Sequence, residues 1–252
     1  MFCPNCGSEV QNGAGFCPNC GYSIGGGAPA GGASGGGNLS IEIMRRAFSV
    51  VLQKPFRLWG LSLLCALLSI IAYILGGPVV AIGFVISEVL TLGMEWIFLD
   101  GYRGEEVGSN QLFEPFHNFW KSFGVMGWRD LWILLWALIP IAGPVFAIIK
   151  SYSYMLTPFI FREGEYTPQD ALKESMARTN GYKGKMFLTD LLIMLVIFIP
   201  ALILSLLGLI PYVGIVFKII YVLVMLVVAV FAPLYCGLVR AAWYDEITGA
   251  QG

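Results

Sequence analysis

The chain has 252 residues, 57% of them hydrophobic and only 12% charged, with a mean hydropathy of +0.75. Soluble domains carry about 25% charged residues, so composition excludes an ordinary soluble domain and predicts a membrane protein. The net charge of −1 lacks the strongly basic balance that nucleic acid selects, so no nucleic-acid partner is expected.

The N-terminus opens with cysteines and glycines instead of the short basic region and apolar core of a signal peptide, so none is expected. Cys3-Pro4-Asn5-Cys6-Gly7 is followed by Cys17-Pro18-Asn19-Cys20-Gly21, with ten residues between Cys6 and Cys17. Each knuckle offers two thiolates from one tight turn, and Zn²⁺ takes four soft ligands in a tetrahedron. Cys3, Cys6, Cys17 and Cys20 are therefore the predicted metal ligands. The glycine after each second cysteine lets backbone N–H groups approach the sulfurs and offset their charge. Two disulfides are the alternative; four close cysteines without an export signal favour a reducing compartment and zinc. Phe2, Val10, Phe16, Tyr22 and Ile24 are nearly all this segment has to bury, so the metal must supply its folding energy. With all four positions taken by thiolates, the zinc is structural. Residues 1–24 resemble the small zinc-ribbon modules that begin many bacterial membrane proteins, and both knuckles match. The resemblance implies a protein–protein interaction role. Residues 25–37 contain eight glycines among thirteen residues and are expected to be a flexible linker.

Residues 38–248 are predicted to be a six-helix transmembrane domain. Leu39 to Gln53 has helical periodicity, with Met44, Ala47, Phe48 and Val51 on one face and Glu42, Arg45, Arg46 and Gln53 opposite, as in an interfacial helix. Phe56 to Gly76 and Pro78 to Leu99 are the first two predicted spans. A second amphipathic segment carries Leu112, Phe113, Phe116, Phe119, Trp120 and Phe123 on one face, with His117, the single histidine, on the other. Trp128 to Ala142 and Pro144 to Phe161 are the third and fourth spans. Thr167-Pro168-Gln169-Asp170 reads as a helix start, and Asn180-Gly181 as its end. Met186 to Gly208 is the fifth span. Tyr212 to about Val239 is the sixth, longer than a bilayer needs, so it must tilt or project.

The spans pair into three hairpins. The Leu138–Ile149 stretch around one turn recurs as Leu209–Ile220, with eight of twelve positions identical; Gly77-Pro78 is a fainter third copy. Tandem duplication is one account of this, and chance with shared turn chemistry is the other. Asp130-Leu131-x-Ile133-x-Leu135 also repeats, as Asp190-Leu191-x-Ile193-x-Leu195, but at an offset of 60 residues, against 71 at the turn. The third span is therefore expected to lack about three helical turns that the fifth has. The turns carry no Lys or Arg, whereas nearly all basic residues lie at the opposite ends, so both termini are expected in the cytoplasm.

Four ionisable residues fall within spans: Glu88 and Glu95 in the second, Lys150 in the fourth and Lys218 in the sixth. A charge at the bilayer centre costs roughly 2.5–3.5 kcal/mol on insertion scales, which makes these the candidate intramembrane site. An interior relay or substrate site is one account; interhelical ion pairing, with the lysines snorkelling to the outer interface, is the other. Cys65 and Cys236 read as small apolar residues. No catalytic constellation is apparent, so an enzyme is not expected.

The Ile-Pro-x-x-Gly turn, Lys150-Ser151-Tyr152-Ser153-Tyr154 with Pro158, and Ala171-x-x-x-Ser175-Met176 followed by Gly181-x-Lys183 and Phe187 are similar to a bacterial integral membrane family. That family is catalogued as domain of unknown function nine-seventy-five, and the resemblance spans roughly residues 40–245. It implies a six-helix membrane fold and no mechanism. The expected function is a non-enzymatic protein of the bacterial inner (plasma) membrane, in contact with the lipid bilayer, whose ribbon meets a cytosolic or membrane protein partner. The alternative is a small-molecule or lipid transporter using the buried Glu and Lys residues.

Overall fold

A computed structural model describes residues 39–53, 55–76, 80–211 and 213–249. The described chain is all helical: α1 Leu39–Gln53, α2 Pro55–Gly76, α3 Val80–Arg103, α4 Ser109–Phe113, α5 Phe119–Ala137, α6 Gly143–Tyr154, α7 Thr157–Glu163, α8 Pro168–Arg178, α9 Lys183–Leu207 and α10 Gly214–Gly249. A 3-10 turn, Glu114–Asn118, joins α4 to α5. Helix α3 is the hub, with 67% of its most apolar window buried, against 22% for α2, 6% for α9 and none for α10. The outer halves of the hairpins therefore present Leu, Ile, Val and Phe outward, as a lipid solvent allows and water does not.

Both described hairpin turns have the same backbone pattern. Ala142 N–H donates to Pro140 O at 2.7 Å and Gly143 N–H to Ile139 O at 2.8 Å; Val213 and Gly214 donate to Pro211 and Ile210 at 2.8 Å each. Ile141, at the apex of the first, sits at φ 66°. The matched glycines are required by close approach. A Cβ on Gly143 would lie 2.5 Å from Ala137 O, and one on Gly214 would lie 2.4 Å from Gly208 O, the equivalent atom in the other repeat. Gly143→Ala and Gly214→Ala should each cost about 1–3 kcal/mol, because backbone must move to admit the methyl. Gly184→Ala, with nothing within 4 Å, should be neutral or slightly stabilising. Thermal denaturation in detergent checks this; equal melting of all three variants would show that the turns are not tightly built.

Five helical stretches are long and apolar enough to cross a membrane: Arg57–Leu75, Ala81–Arg103, Gly143–Glu163, Lys183–Leu207 and Gly214–Gly249. The predicted third span is not among them. It forms the end of α5, whose 19 residues include Lys121, Arg129 and Asp130 and which stops at Ala137. Its repeat counterpart α9 has 25 residues, so the third helix is indeed the shorter. The predicted fourth span is broken into α6 and α7. Pro158 has no N–H and its ring clashes with the carbonyl four residues back, so α6 ends at Tyr154. Trp96 Nε1 donates to Pro158 O at 2.9 Å, tying the break to α3. Helix α10 runs 36 residues and projects: its buried residues cluster between Leu234 and Ile247.

That projecting end joins a packed layer with α1, α7, α8 and the end of α3. Its largest fully buried side chains include Trp243, Tyr244, Phe159 and Ile160. The charged ends are stitched across it by ion pairs, Arg46–Glu246 at 2.9 Å, Arg103–Asp245 at 3.1 Å and Arg178–Glu163 at 2.9 Å. Helix α1 packs on α9 and α10 and buries Ser40, Ile43 and Ala47, while Phe48 stays exposed against the Tyr235 ring. Its inner face is thus rotated from the predicted one: Tyr235 donates to Met44 O at 3.0 Å and Ser40 to Lys185 O at 3.0 Å, which fix the register. The second predicted amphipathic helix is interrupted where Pro115 opens the 3-10 turn; Leu112 is buried, but Trp120 faces out. Helix α8 begins and ends as predicted. Thr167 Oγ1 accepts from Asp170 N–H at 3.2 Å, and Gly181 adopts φ +86° after it.

Candidate functional site

Three carboxylates face away from α3 along its length, and each meets an arginine from a different helix. Glu88, with a side chain 13% exposed, lies 3.8 Å from Arg129 of α5. Glu95, 4% exposed, is 2.8 Å from Arg240 of α10. Asp100 takes a bidentate pair from Arg162 of α7, with Nη2 to Oδ2 at 2.9 Å. Close to this pair α10 packs on α3 through Gly237; a Cβ there would overlap the Phe98 ring at 2.1 Å.

The repeated aspartates complete two of these clusters. Asp130 bonds Arg129 Nε at 2.7 Å and lies within reach of Glu88. Asp190 accepts from Tyr152 at 2.8 Å and lies in the field of Arg240. Each cluster thus gathers two carboxylates around one guanidinium.

Of the four residues predicted for an intramembrane site, Glu88 and Glu95 are both on α3, each with its own arginine. The two lysines are elsewhere. Lys150 stacks over the Trp136 ring at 5.1 Å and the Tyr154 ring at 5.9 Å. Lys218 is exposed beside Gly208 near the last turn. The glutamates form interhelical pairs with arginines, and Lys150 lines a groove against α8. Sequence reasoning counted Arg129 and Arg240 only as topology charges and missed both as partners. The repeat places Asp130 and Asp190 at matched positions but does not mark the arginines that they meet.

Helices α9 and α10 enclose an open cleft of about 630 Å³, apolar along Ile193, Ile197 and Met225, with Asp190 and Arg240 at one end. Cys236 lines it; Cys65 is buried and points its thiol at Leu90 O, 3.8 Å away. Both are free thiols. Among the described residues no group of three His, Cys, Asp or Glu could hold a metal ion.

At the polar face, Lys121 Nζ is 2.9 Å from Glu165 Oε2. The hydrogen bond from Lys121, then its charge, holds the exposed Glu165 carboxyl below its ordinary value. A depressed carboxylate pKa stabilises the fold above the unfolded value of about 4.3, and that contribution is lost as pH falls through the folded value. Because the pair is exposed, salt should screen it. A carbon-13 titration should find Glu165 depressed at low salt and returned to the ordinary range by Lys121→Gln. An unchanged titration in the variant would remove Lys121 as the cause.

The helical block defines a class: an all-helical chain with several helices fit for multiple membrane crossings. Cys3, Cys6, Cys17 and Cys20 lie outside the described residues, but residues 2–24 match the zinc-ribbon domain family. The match implies zinc binding, and a set of four thiolates suits that metal. It stops at residue 24 and gives no support to the resemblance of residues 40–245 to domain of unknown function nine-seventy-five. No curated protein and no solved structure matches the chain.

Proposed function

We propose that this is a non-enzymatic protein of the bacterial plasma membrane that presents a zinc ribbon to a cytosolic or membrane protein partner. The observation that carries this proposal is the zinc-ribbon domain at residues 2–24, placed ahead of a helical block built for the membrane. A closed four-thiolate site has no open position for substrate, so its use is to shape a surface. In this proposal α5 makes a thin sixth crossing, residues 25–37 tether the ribbon, and residues 38–248 form the membrane domain. The charged layer and both termini face the cytoplasm by the positive-inside rule. The short motifs shared with domain of unknown function nine-seventy-five agree with a six-helix arrangement.

A second function, handling of a small molecule or lipid, is favoured by the α9/α10 cleft with its charged end. Co-purification mass spectrometry from native membranes separates the two. The intact chain is compared with one lacking residues 1–37. Proteins lost on deletion are the expected result. If both forms retain the same lipids or small molecules and no protein depends on the ribbon, recruitment is wrong and the cleft is the working part.

A further inference from the structure

A second concavity has a different charge. The groove between α5, α6 and α8 has a volume of about 390 Å³ and is lined by Trp128, Trp132, Trp136, Lys150, Tyr154 and Lys173 among others. The tryptophans stand four residues apart, so they form one stripe along α5. Trp128 and Trp132 meet edge to face at 6.0 Å, and Trp136 packs on Phe146 at 5.7 Å.

No carboxylate lines this groove. Arg46, Arg103, Lys121, Arg129, Arg162, Arg178 and Arg240 each lie within 4 Å of an Asp or Glu, whereas among the described residues no carboxylate pairs with Lys150 or Lys173. The polar groups of the wall are two ammoniums, indole N–H groups, a tyrosine hydroxyl and the Gln169 amide, all able to donate. A site with two positive charges and only donors or amphoteric groups selects an anion. Exposed Leu135 and Phe146, one helical turn from Trp132 and Lys150, extend its apolar wall over surface that a bilayer would cover.

We propose that this groove binds the phosphodiester headgroup of an anionic phospholipid, its acyl chains lying along the outer face of α5 and α6. The Lys150 and Lys173 ammoniums meet the phosphate, and the tryptophans pack the glycerol and upper chains, a position indoles favour. The volume of about 390 Å³ holds a headgroup but not a whole lipid, so the chains follow the exposed apolar surface beside it. The lipid site rests on the membrane placement above, not on the role of the ribbon.

The test reconstitutes the full-length chain in vesicles of phosphatidylcholine with phosphatidylglycerol, extracts it gently, and counts retained lipids by native mass spectrometry. Wild type should retain phosphatidylglycerol in preference. With roughly a fivefold contribution per lysine near the surface, Lys150→Gln/Lys173→Gln should lose about 30-fold in preference. Lys218→Gln, whose lysine is outside the groove, should lose none. If the double variant does not fold, Lys173→Gln alone, at an exposed position, should still lose about fivefold. Equal retention of both lipids by wild type would overturn the proposal, as would a loss matched by Lys218→Gln. Displacement of the bound lipid by millimolar inorganic phosphate would mark a free-phosphate site and overturn it too. Failure to enter vesicles at all would refute the membrane placement; entry without lipid preference refutes the groove alone.

Discussion

The purified full-length chain is expected to carry one zinc ion per molecule by atomic emission, and Cys17→Ser should abolish it. The segment 1–24 has so few apolar side chains that the bond to the metal must hold it, on the order of 10–16 kcal/mol in comparable zinc peptides at neutral pH. A chelator should free four thiols for titration, whereas two disulfides would free none. Thiolate binding requires deprotonation, so zinc content should fall on acidification and not on alkalinisation. The melting of the helical block should not follow the zinc. Zinc retained in full by Cys17→Ser would refute the four-thiolate assignment.

The second large effect is expected at Glu95 and Arg240. Glu95 is almost fully buried, and Oε2 has no hydrogen-bond partner among the described residues, so Arg240 is its neutralising contact. Arg240→Leu should destabilise the protein by about 3–5 kcal/mol, because it strands a buried charge. The low end is expected, since the Arg240 side chain keeps 40% of its exposure. Glu95→Leu/Arg240→Leu should recover most of the loss, as removal of both charges avoids the desolvation cost. Lys218→Gln, exposed and not paired with a carboxylate among the described residues, should change stability by less than about 0.5 kcal/mol. Thermal unfolding in mild detergent orders the variants. An Arg240→Leu variant as stable as Lys218→Gln would show that the pair is not structural and would return Glu95 to the candidates for ligand binding.

The repeat was legible in the residues and is realised in the backbone. Gly143 and Gly214 are matched in sequence, and each lets its turn close onto the same carbonyl one helix earlier. The helix limits were also close to legible, because apolar runs and Gly/Pro punctuation are local signals. The α6–α7 break could have been read from Pro158, but an apolar run masks a proline when hydropathy alone is counted. The charge partners were not legible. Glu88 and Glu95 were visible as costly, yet nothing local distinguishes Arg129 and Arg240 from other basic residues at helix ends. Lys150 and Lys218 were the nearer choices by depth, and they lie elsewhere.

Sequence by itself determined a helical chain apolar enough to cross a membrane, its repeated turns and a four-cysteine ribbon motif, since composition, periodicity and motif spacing act over a few residues. Only the tertiary structure decided which helix is central, which face of α1 is inside, and which arginine meets which carboxylate. Those outcomes depend on how helices pack side by side, and a contact between Glu95 and Arg240 joins residues that no local periodicity links. Packing also set the distribution of charge: carboxylates and arginines are paired around α3, while Lys150 and Lys173 are left facing a tryptophan groove without an acid. Pairing is required where burial makes a lone charge costly, and it is optional where lipid headgroups or water can meet it.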